Sequence, residues 1–308
     1  MRNASSWPAL ILAAGRGTRL APLTARRAKP SIPVAGRPLI ARILDHLQDA
    51  GIRRVVINLH AHADSITAIV GDGRPWNLHV SYSWEPAILG SGGGPAWALP
   101  LLAHDRFLIL NGDTLTDIDL HALTAAHLHS GAAATLAVTA ADITRYNALA
   151  ASDAGALEGR VPRGTAVSGT RQLWHFVGVQ AVNASVFSGV STRHPSDVLT
   201  DRYLPLARQH PGSIRLWPTA ASFHDIGTPA EYLKTSLALA SDQHARLVQG
   251  ARCQIDAAAS LTDCVLWDDV HIGVGTVLSH CIVTSGVRVA PGMRYDRQVL
   301  TPDGVVPF

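Results

Sequence analysis

Residues 11 to 34 read ILAAGRGTRLAPLTARRAKPSIPV. Five cations, Arg16, Arg19, Arg26, Arg27 and Lys29, fall within 14 residues, and Lys29 is one of only two lysines in the chain. The intervening prolines rule out one regular helix. A glycine turn between a strand and a following element presents backbone N–H groups, and a loop of fixed positive charge beside it suits phosphate. The guanidinium supplies a planar fork and the ammonium a compact point charge. Two acids, Asp113 in LILNGD and Asp225 in FHDIG, each follow an apolar run. Hard carboxylate oxygens of this kind hold a divalent cation that keeps waters and phosphates as its other ligands.

Two familiar phosphate motifs are excluded. A P-loop needs GxxxxGK[ST], and GRGTRLAPL has no such lysine. A dinucleotide fingerprint needs a third glycine where Leu20 stands, and an acid after the second strand where VVINLH offers Asn58.

The elements that must carry these groups alternate. PALILAA, RRVVINL, LHVSYSW, RFLILNGD and AATLAVTA read as strands. RPLIARILDHLQDAG, HADSITAIVGDG, GSGGGPAWALPLL and DLHALTAAHLHSG read as helices or loop-helix segments, the last capped by Asp117 or Asp119. Such alternation implies a mostly parallel sheet covered on both faces. The segment TPAEYLKTSLALASDQHARLV reads as one long helix opened by Thr228. Beyond residue 250 an internal repeat takes over: Ile255 aligns with Ile272, Leu261 with Leu278, Cys264 with Cys281, Val265 with Ile282 and Val270 with Val287. This is the mark of a hexapeptide β-helix of two and a half turns, too short to stand alone. Its cysteines read as small apolar side chains at repeat positions.

Composition sets the outer limits. With 47% hydrophobic residues in 308, the chain can bury one large core or two unequal ones. A net charge of +3 without a basic stripe argues against a nucleic-acid partner. No run reaches membrane-spanning length, and the opening apolar stretch ends in GRGTR rather than a cleavage site. A cytoplasmic protein is expected.

The stretch GxGTRLxPLTxxxxKPxxPVxGRPLI closely resembles the signature of the sugar-1-phosphate nucleotidyltransferases, with Ala28 where that family usually has proline. YSWEPAILGSGGGPAWAL resembles its base-recognition loop, LILNGDTLTDIDL and FHDIGTPAEYL its two metal-binding segments, and VLWDDVHIG the β-helix tail of mannose-1-phosphate guanylyltransferase-like members. The resemblance implies a Rossmann-like α/β catalytic domain over 1–245 with a mixed, mostly parallel sheet, and a short left-handed β-helix over 246–308. It implies an enzyme joining an NTP to a sugar-1-phosphate with Mg2+, working as a homo-oligomer.

The implied roles are these. Leu12, Ala13, Ala14, Gly15, Gly17, Thr18, Glu85, Gly90 and Ser91 would hold the nucleotide. Arg19 would grip the leaving phosphates, Lys29 would sit between the two reacting phosphates, and Asp113 and Asp225 would carry the metal. Asn147, Arg171 and Gly178 would meet the sugar phosphate; the family's lysine is missing there, with Arg163 the other substitute. Glu85 stands where pyrimidine users have glutamine. A carboxylate suits the two adjacent donors of guanine, so GTP and a mannose-1-phosphate-like acceptor are expected. The LGSGGG loop keeps open a uridylyltransferase of the muramic-acid-phosphate or glucose-1-phosphate type. A non-catalytic NDP-sugar binder is the reading from another class.

Overall fold

A computed structural model describes residues 7–166, 172–240 and 246–308. They form two compact units that do not follow chain order. The first contains the chain up to Gly15, Ile43–Ala61 and Val70–Phe223; the second contains Arg16–Arg42, His62–Ile69 and His224–Phe308.

The first unit is built on a nine-stranded sheet. Its strands are β1 (Ala9–Leu12), β2 (Arg54–Leu59), β3 (His79–Trp84), β4 (Arg106–Asn111), β5 (Ala134–Ala140), β6 (Ala148–Ala151), β7 (Leu157–Val161), β8 (Leu173–Asn183) and β9 (Ile214–Pro218). β1 lies between β2 and β4, parallel to both, and β3 extends the parallel block beside β2. β1, β2 and β4 are near-continuous apolar runs, as burial on both faces requires, while β3 at the edge is only partly buried. The far half is mixed: β8 runs antiparallel to β4, β5 and β6, while β9 returns parallel to β5. Helix α1 (Gly90–Leu102) packs on β1 and β2, and α2 (Leu120–Ser130) on β5 and β8. Leu10, Phe107, Ile109, Leu136, Val182, Phe187 and Ile214 are among the buried core. The parallel strands bring Leu12, Asn58, Glu85 and Asp113 to one end of the sheet, at or just past their carboxyl termini, where ligands of α/β sheets bind.

Two local expectations change. Asp119 alone caps α2, accepting the Ala122 N–H at 2.9 Å; Asp117 instead accepts the Ser222 N–H at 2.6 Å. The long helix opened by Thr228 is α3, and it stops at Ala238. Residues 241–245 lie outside the described residues. Leu247–Gln249 is a strand, because pairing Leu247, Val248 and Gln249 with Cys264, Val265 and Leu266 builds the first rung of the tail.

In the second unit, every parallel ladder of the tail joins residues 17 apart: Val248 to Val265, Val265 to Ile282, Leu261 to Leu278, Ile272 to Val289. The repeat is therefore one coil laid on three sheets, and it completes about three coils before an antiparallel strand, Gly304–Pro307, closes the end. Asp263, His280 and Arg297 take left-handed corner conformations at the same spacing. Cys264 and Cys281 are fully buried in the coil interior.

Candidate active site

The loop after β1 changes conformation at Gly17, which is left-handed (φ 62°) and opens a short 3-10 turn, Thr18–Leu20. A second such turn, Lys29–Ser31, follows. Lys29 is 7% exposed, so this lysine is not a solvated surface charge. A Cβ placed on Gly17 would fall 3.1 Å from the Lys29 Cβ, which shows how closely the turn lies on the lysine stem. The segment is pinned locally: Ser65 Oγ accepts the Ala28 N–H at 3.0 Å, and Ser31 Oγ donates to the Ala28 carbonyl at 2.7 Å.

Asp225 enters the same unit just before α3. Thr228 caps that helix, its Oγ1 accepting the Glu231 N–H, and Glu231 Oε2 accepts the Gly227 N–H at 3.0 Å. This is a capping box shifted outward by one residue. Gly227 is the point on which charge converges. A Cβ there would lie 2.8 Å from Glu231 Oε2, 3.3 Å from Arg19 Nη1 and 3.6 Å from Asp225 Oδ2. Arg19 and Asp225, more than 200 positions apart, thus flank one glycine of the second unit.

Arg26 and Arg27 belong to a different task. Arg26 makes a two-pronged pair with Asp303, and the Arg27 guanidinium stacks 4.7 Å above the Trp267 ring. Burial lowers the Arg27 pKa, with Asp268 opposing. Trp267 donates to Tyr232 Oη at 2.8 Å, and Tyr232 donates to the Pro33 carbonyl at 2.6 Å. Within this unit the tail therefore braces the signature loop, and a coil too short to stand alone gains its support there.

In the first unit, Ala13 and Ala14 are buried and donate their N–H groups to Asn58 Oδ1 at 2.5 and 3.3 Å. Phosphate-binding amides are therefore to be sought from Gly15 onward, where Gly15 and Thr18 are exposed. Glu85 is fully buried, and both its oxygens are used: Oε1 accepts from Asn58 Nδ2 at 2.7 Å and Oε2 from the Leu89 N–H at 2.9 Å. Ser91 Oγ accepts the Val198 N–H at 3.0 Å, and Gly90 packs against the Ser196 carbonyl. Asp113 follows β4, half-buried.

On the expected sugar side, Gly178 sits at the register slip of β8 with φ 81°. A side chain there would strike Asn111 Nδ2 at 2.8 Å and Thr114 Oγ1 at 2.9 Å, on either side of Asp113. Asn147 Oδ1 accepts the Arg163 N–H at 3.0 Å, while Arg171 lies outside the described residues. A stack of rings, Tyr146, His175 and Phe223, lies nearby in the fold, with centroids 4.2 and 5.1 Å apart. Burial lowers the His175 pKa; its hydrogen bond to the Asn147 backbone opposes that and the nearby Arg145 adds to it. The sequence reading missed this stack, which only the antiparallel return of β8 assembles. It also took Asn58 merely as a missing acid. The sole signal was a polar residue inside the apolar run VVINL.

The donor set fits a magnesium ion in kind. Among the described residues no three His, Cys, Asp or Glu side chains converge. An ion would thus be held by carboxylate oxygens, waters and phosphate.

Residues 8–159 match the family described as Nucleotidyl transferase, and 239–298 match GlmU-like, C-terminal hexapeptide. The chain carries a nucleotidyl transferase domain followed by a GlmU-like hexapeptide β-helix segment at its C-terminal end. It is 49% identical over 115 residues to N-acetylmuramate alpha-1-phosphate uridylyltransferase of Neisseria meningitidis serogroup B, covering 37% of this chain and 50% of that protein. It is 27% identical over 300 residues to mannose-1-phosphate guanylyltransferase of Mycobacterium tuberculosis, covering 94% of this chain and 83% of that protein. Among solved structures, HddC from Yersinia pseudotuberculosis shares the fold with a TM-score of 0.63 and 24% identity, over 75% of this chain and 98% of that one. The chain thus spans half the length of the first of these relatives and most of the second.

Proposed function

We propose that the chain joins an NTP to a sugar-1-phosphate, releasing pyrophosphate. A phosphate oxygen of the sugar ester attacks the α-phosphorus in line, and the bond to the β-phosphate oxygen breaks. That oxygen is already anionic at neutral pH, so catalysis reduces to positioning two anions and stabilising the leaving charge. The observation that carries this reading is the convergence of Arg19 and Asp225 on Gly227, in the unit whose loop also buries Lys29.

Arg19 holds the leaving phosphates through its planar fork, and Lys29 offsets charge between the two reacting esters. Gly15, Gly17 and Thr18 wrap the phosphates, and Gly90 and Ser91 belong to the loop under the base. Gly178 lets the sugar approach backbone, with Asn147 beside it and Arg163 or Arg171 taking the place of the family's lysine. Bound Mg2+, held by Asp113 and Asp225, would neutralise charge on the phosphates. The catalytic part is taken as 1–245 and the tail as 246–308. We assign a cytoplasmic location and a homo-oligomer; the exposed Val305 and Val306 on the closing strand support self-association.

For the substrates we favour GTP and a mannose-1-phosphate-like acceptor, on the relative aligned over 94% of the chain. Glu85 does not carry this preference, since it is fully buried with each oxygen already accepting a bond, from Asn58 Nδ2 and from the Leu89 N–H. The 49% identity of the 115-residue segment supports a second reading, UTP with N-acetylmuramate α-1-phosphate. Pyrophosphate release from a matrix of NTPs and sugar-1-phosphates decides between them. Turnover with GTP and mannose-1-phosphate supports the first, and turnover with UTP and the muramate ester the second. Tight nucleotide binding without release from any pair would favour the non-catalytic binder. Asp113→Asn and Asp225→Asn should each raise the Mg2+ concentration for half-maximal rate; a change in only one would remove the other from the metal.

A further inference from the structure

Asn58, at the end of β2, is 3% exposed and has a partner on each side of its amide. The oxygen receives the N–H groups of Ala13 and Ala14, and the nitrogen donates to Glu85. These partners fix the amide orientation, since only the oxygen can face two donors and only the nitrogen can face a carboxylate. Glu85 carries the chain onward by accepting from the N–H of Leu89, the residue that precedes α1. Its own backbone is held too, the N–H by the Leu59 carbonyl at 2.8 Å and the carbonyl by His60 Nδ1 at 2.8 Å. Four segments from β1 to α1 are thus tied by one buried line of hydrogen bonds. Gly94 completes the enclosure: a Cβ there would lie 2.7 Å from Glu85 Oε1 and 2.8 Å from Asn58 Nδ2, so the helix can close over the pair only at a glycine.

We propose that Asn58 and Glu85 are positioning residues that lock the strand end Ala13–Ala14 to the loop 86–90, and that Glu85 does not read the base. The inference rests on the nucleotidyltransferase reading and gives its nucleotide site a built-in register. Glu85 is fully buried and each of its oxygens already accepts one bond, so it contributes through what it holds in place. Without the amide between them, two backbone N–H groups would lose their acceptor and a carboxylate oxygen its donor, and a buried unsatisfied polar group is costly. The nucleobase is then chosen by the loop that Glu85 holds.

The line can be inverted without changing shape or net charge. In Asn58→Asp two carboxyl groups face each other. In Glu85→Gln an amide N–H faces either Leu89 N–H or the Asn58 amide. In the double exchange, the aspartate accepts from Ala13 and Ala14 and from the new glutamine, whose oxygen accepts from Leu89, so every bond is restored. Each single exchange should raise the nucleotide KM by about tenfold or more and lower the melting temperature. The double exchange should recover both, with kcat/KM within about threefold of wild type and the same ranking of NTPs. If the double exchange recovers the melting temperature but keeps the KM of Glu85→Gln, or reorders the NTPs, Glu85 touches the base and the proposal fails. A wild-type protein silent with every NTP and sugar-1-phosphate overturns the functional reading itself. That result is distinct from an active wild type whose double exchange is not rescued, which overturns the relay alone.

Discussion

The tail and the sheet ends solve opposite problems. In the tail each inward residue lies over another 17 positions away, Leu278 over Leu261 and Val283 over Leu266, and one repeated offset sets the whole register. At the sheet ends Ala13, Asn58, Glu85 and Leu89 come from separate segments and are joined by hydrogen bonds that follow no period. Apolar stacking is graded, so its losses scale with the atoms removed. A buried polar line is satisfied only when every member is present. The chain places its repetitive, tolerant architecture where it braces a loop, and its unforgiving contacts where a ligand must be held.

The largest effect expected from this contrast concerns Lys29. It is buried beside Gly17 on the signature loop, and in the proposed reaction its charge lies between the two reacting phosphates. Lys29→Met keeps the stem against Gly17 and removes the charge. The turnover number for pyrophosphate release should fall by roughly 10² to 10³ or more, the range for losing one preorganised charge in a transition state. An unchanged turnover number, with melting temperature preserved, would take Lys29 out of the reaction.

Next comes the tail interior. Leu278 is 1% exposed in the middle coil. Leu278→Ala should cost about 2–5 kcal/mol in denaturant unfolding, the span for a large aliphatic side chain cut to alanine in a packed core. A loss below about 1 kcal/mol would mean that the coil interior relaxes around the gap, unlike a close-packed core.

The same contrast explains what could be read in advance. The parallel block was legible because ALIL, VVINL and FLILN are apolar runs with helical patterns between them, and burial on both faces demands that pattern. The coil was legible because Cys264 and Cys281, or Val265 and Ile282, repeat at one offset. The proposal of Arg19, Lys29, Asp113 and Asp225 as site residues rests on a long motif rather than on spacing, since nothing in the linear sequence brings Arg19 to Gly227. What stayed hidden depends on third partners. Glu85 looked available to a base until Asn58 and Leu89 claimed its oxygens. Arg26 and Arg27 looked like plain members of a basic loop until the tail returned Asp303 and Trp267 to them. Leu247 and Val248 looked helical because local propensity favours it, and pairing with Cys264 and Val265 overrode that.

A smaller effect separates the regions by pH. His127 of α2 is buried between Thr135 Oγ1 at 2.9 Å and Asn183 Oδ1 at 3.2 Å, edge-on to Trp7. Burial lowers its pKa, partly opposed by the Asn183 hydrogen bond and aided by Arg106. Burial lowers those of His46 and His175 as well, all in the first unit. A histidine whose folded pKa is depressed binds its proton more readily in the unfolded chain. Its stabilising contribution is therefore full above about pH 6.5 and is lost as pH falls from there toward the folded value. The melting temperature should fall between pH 7 and pH 5, and His127→Gln should flatten that slope. A slope that is unchanged by the substitution would assign the pH response to other groups.

The smallest effect is expected on the outside of the coils. Arg252 and Asp269, at corners 17 apart, make two hydrogen bonds of 2.6 and 2.7 Å, and both stand in solvent with 68% and 48% of their side chains exposed. The pair is two-pronged, yet water and salt screen it, and holding the side chains in one pose costs conformational freedom. Arg252→Ala should leave the melting curve at physiological salt indistinguishable from wild type, beside the large loss expected for Leu278→Ala one layer inward. A clear drop that disappears when salt is raised would show that the polar ladder outside the coil, and not its apolar interior alone, sets the stability of the tail.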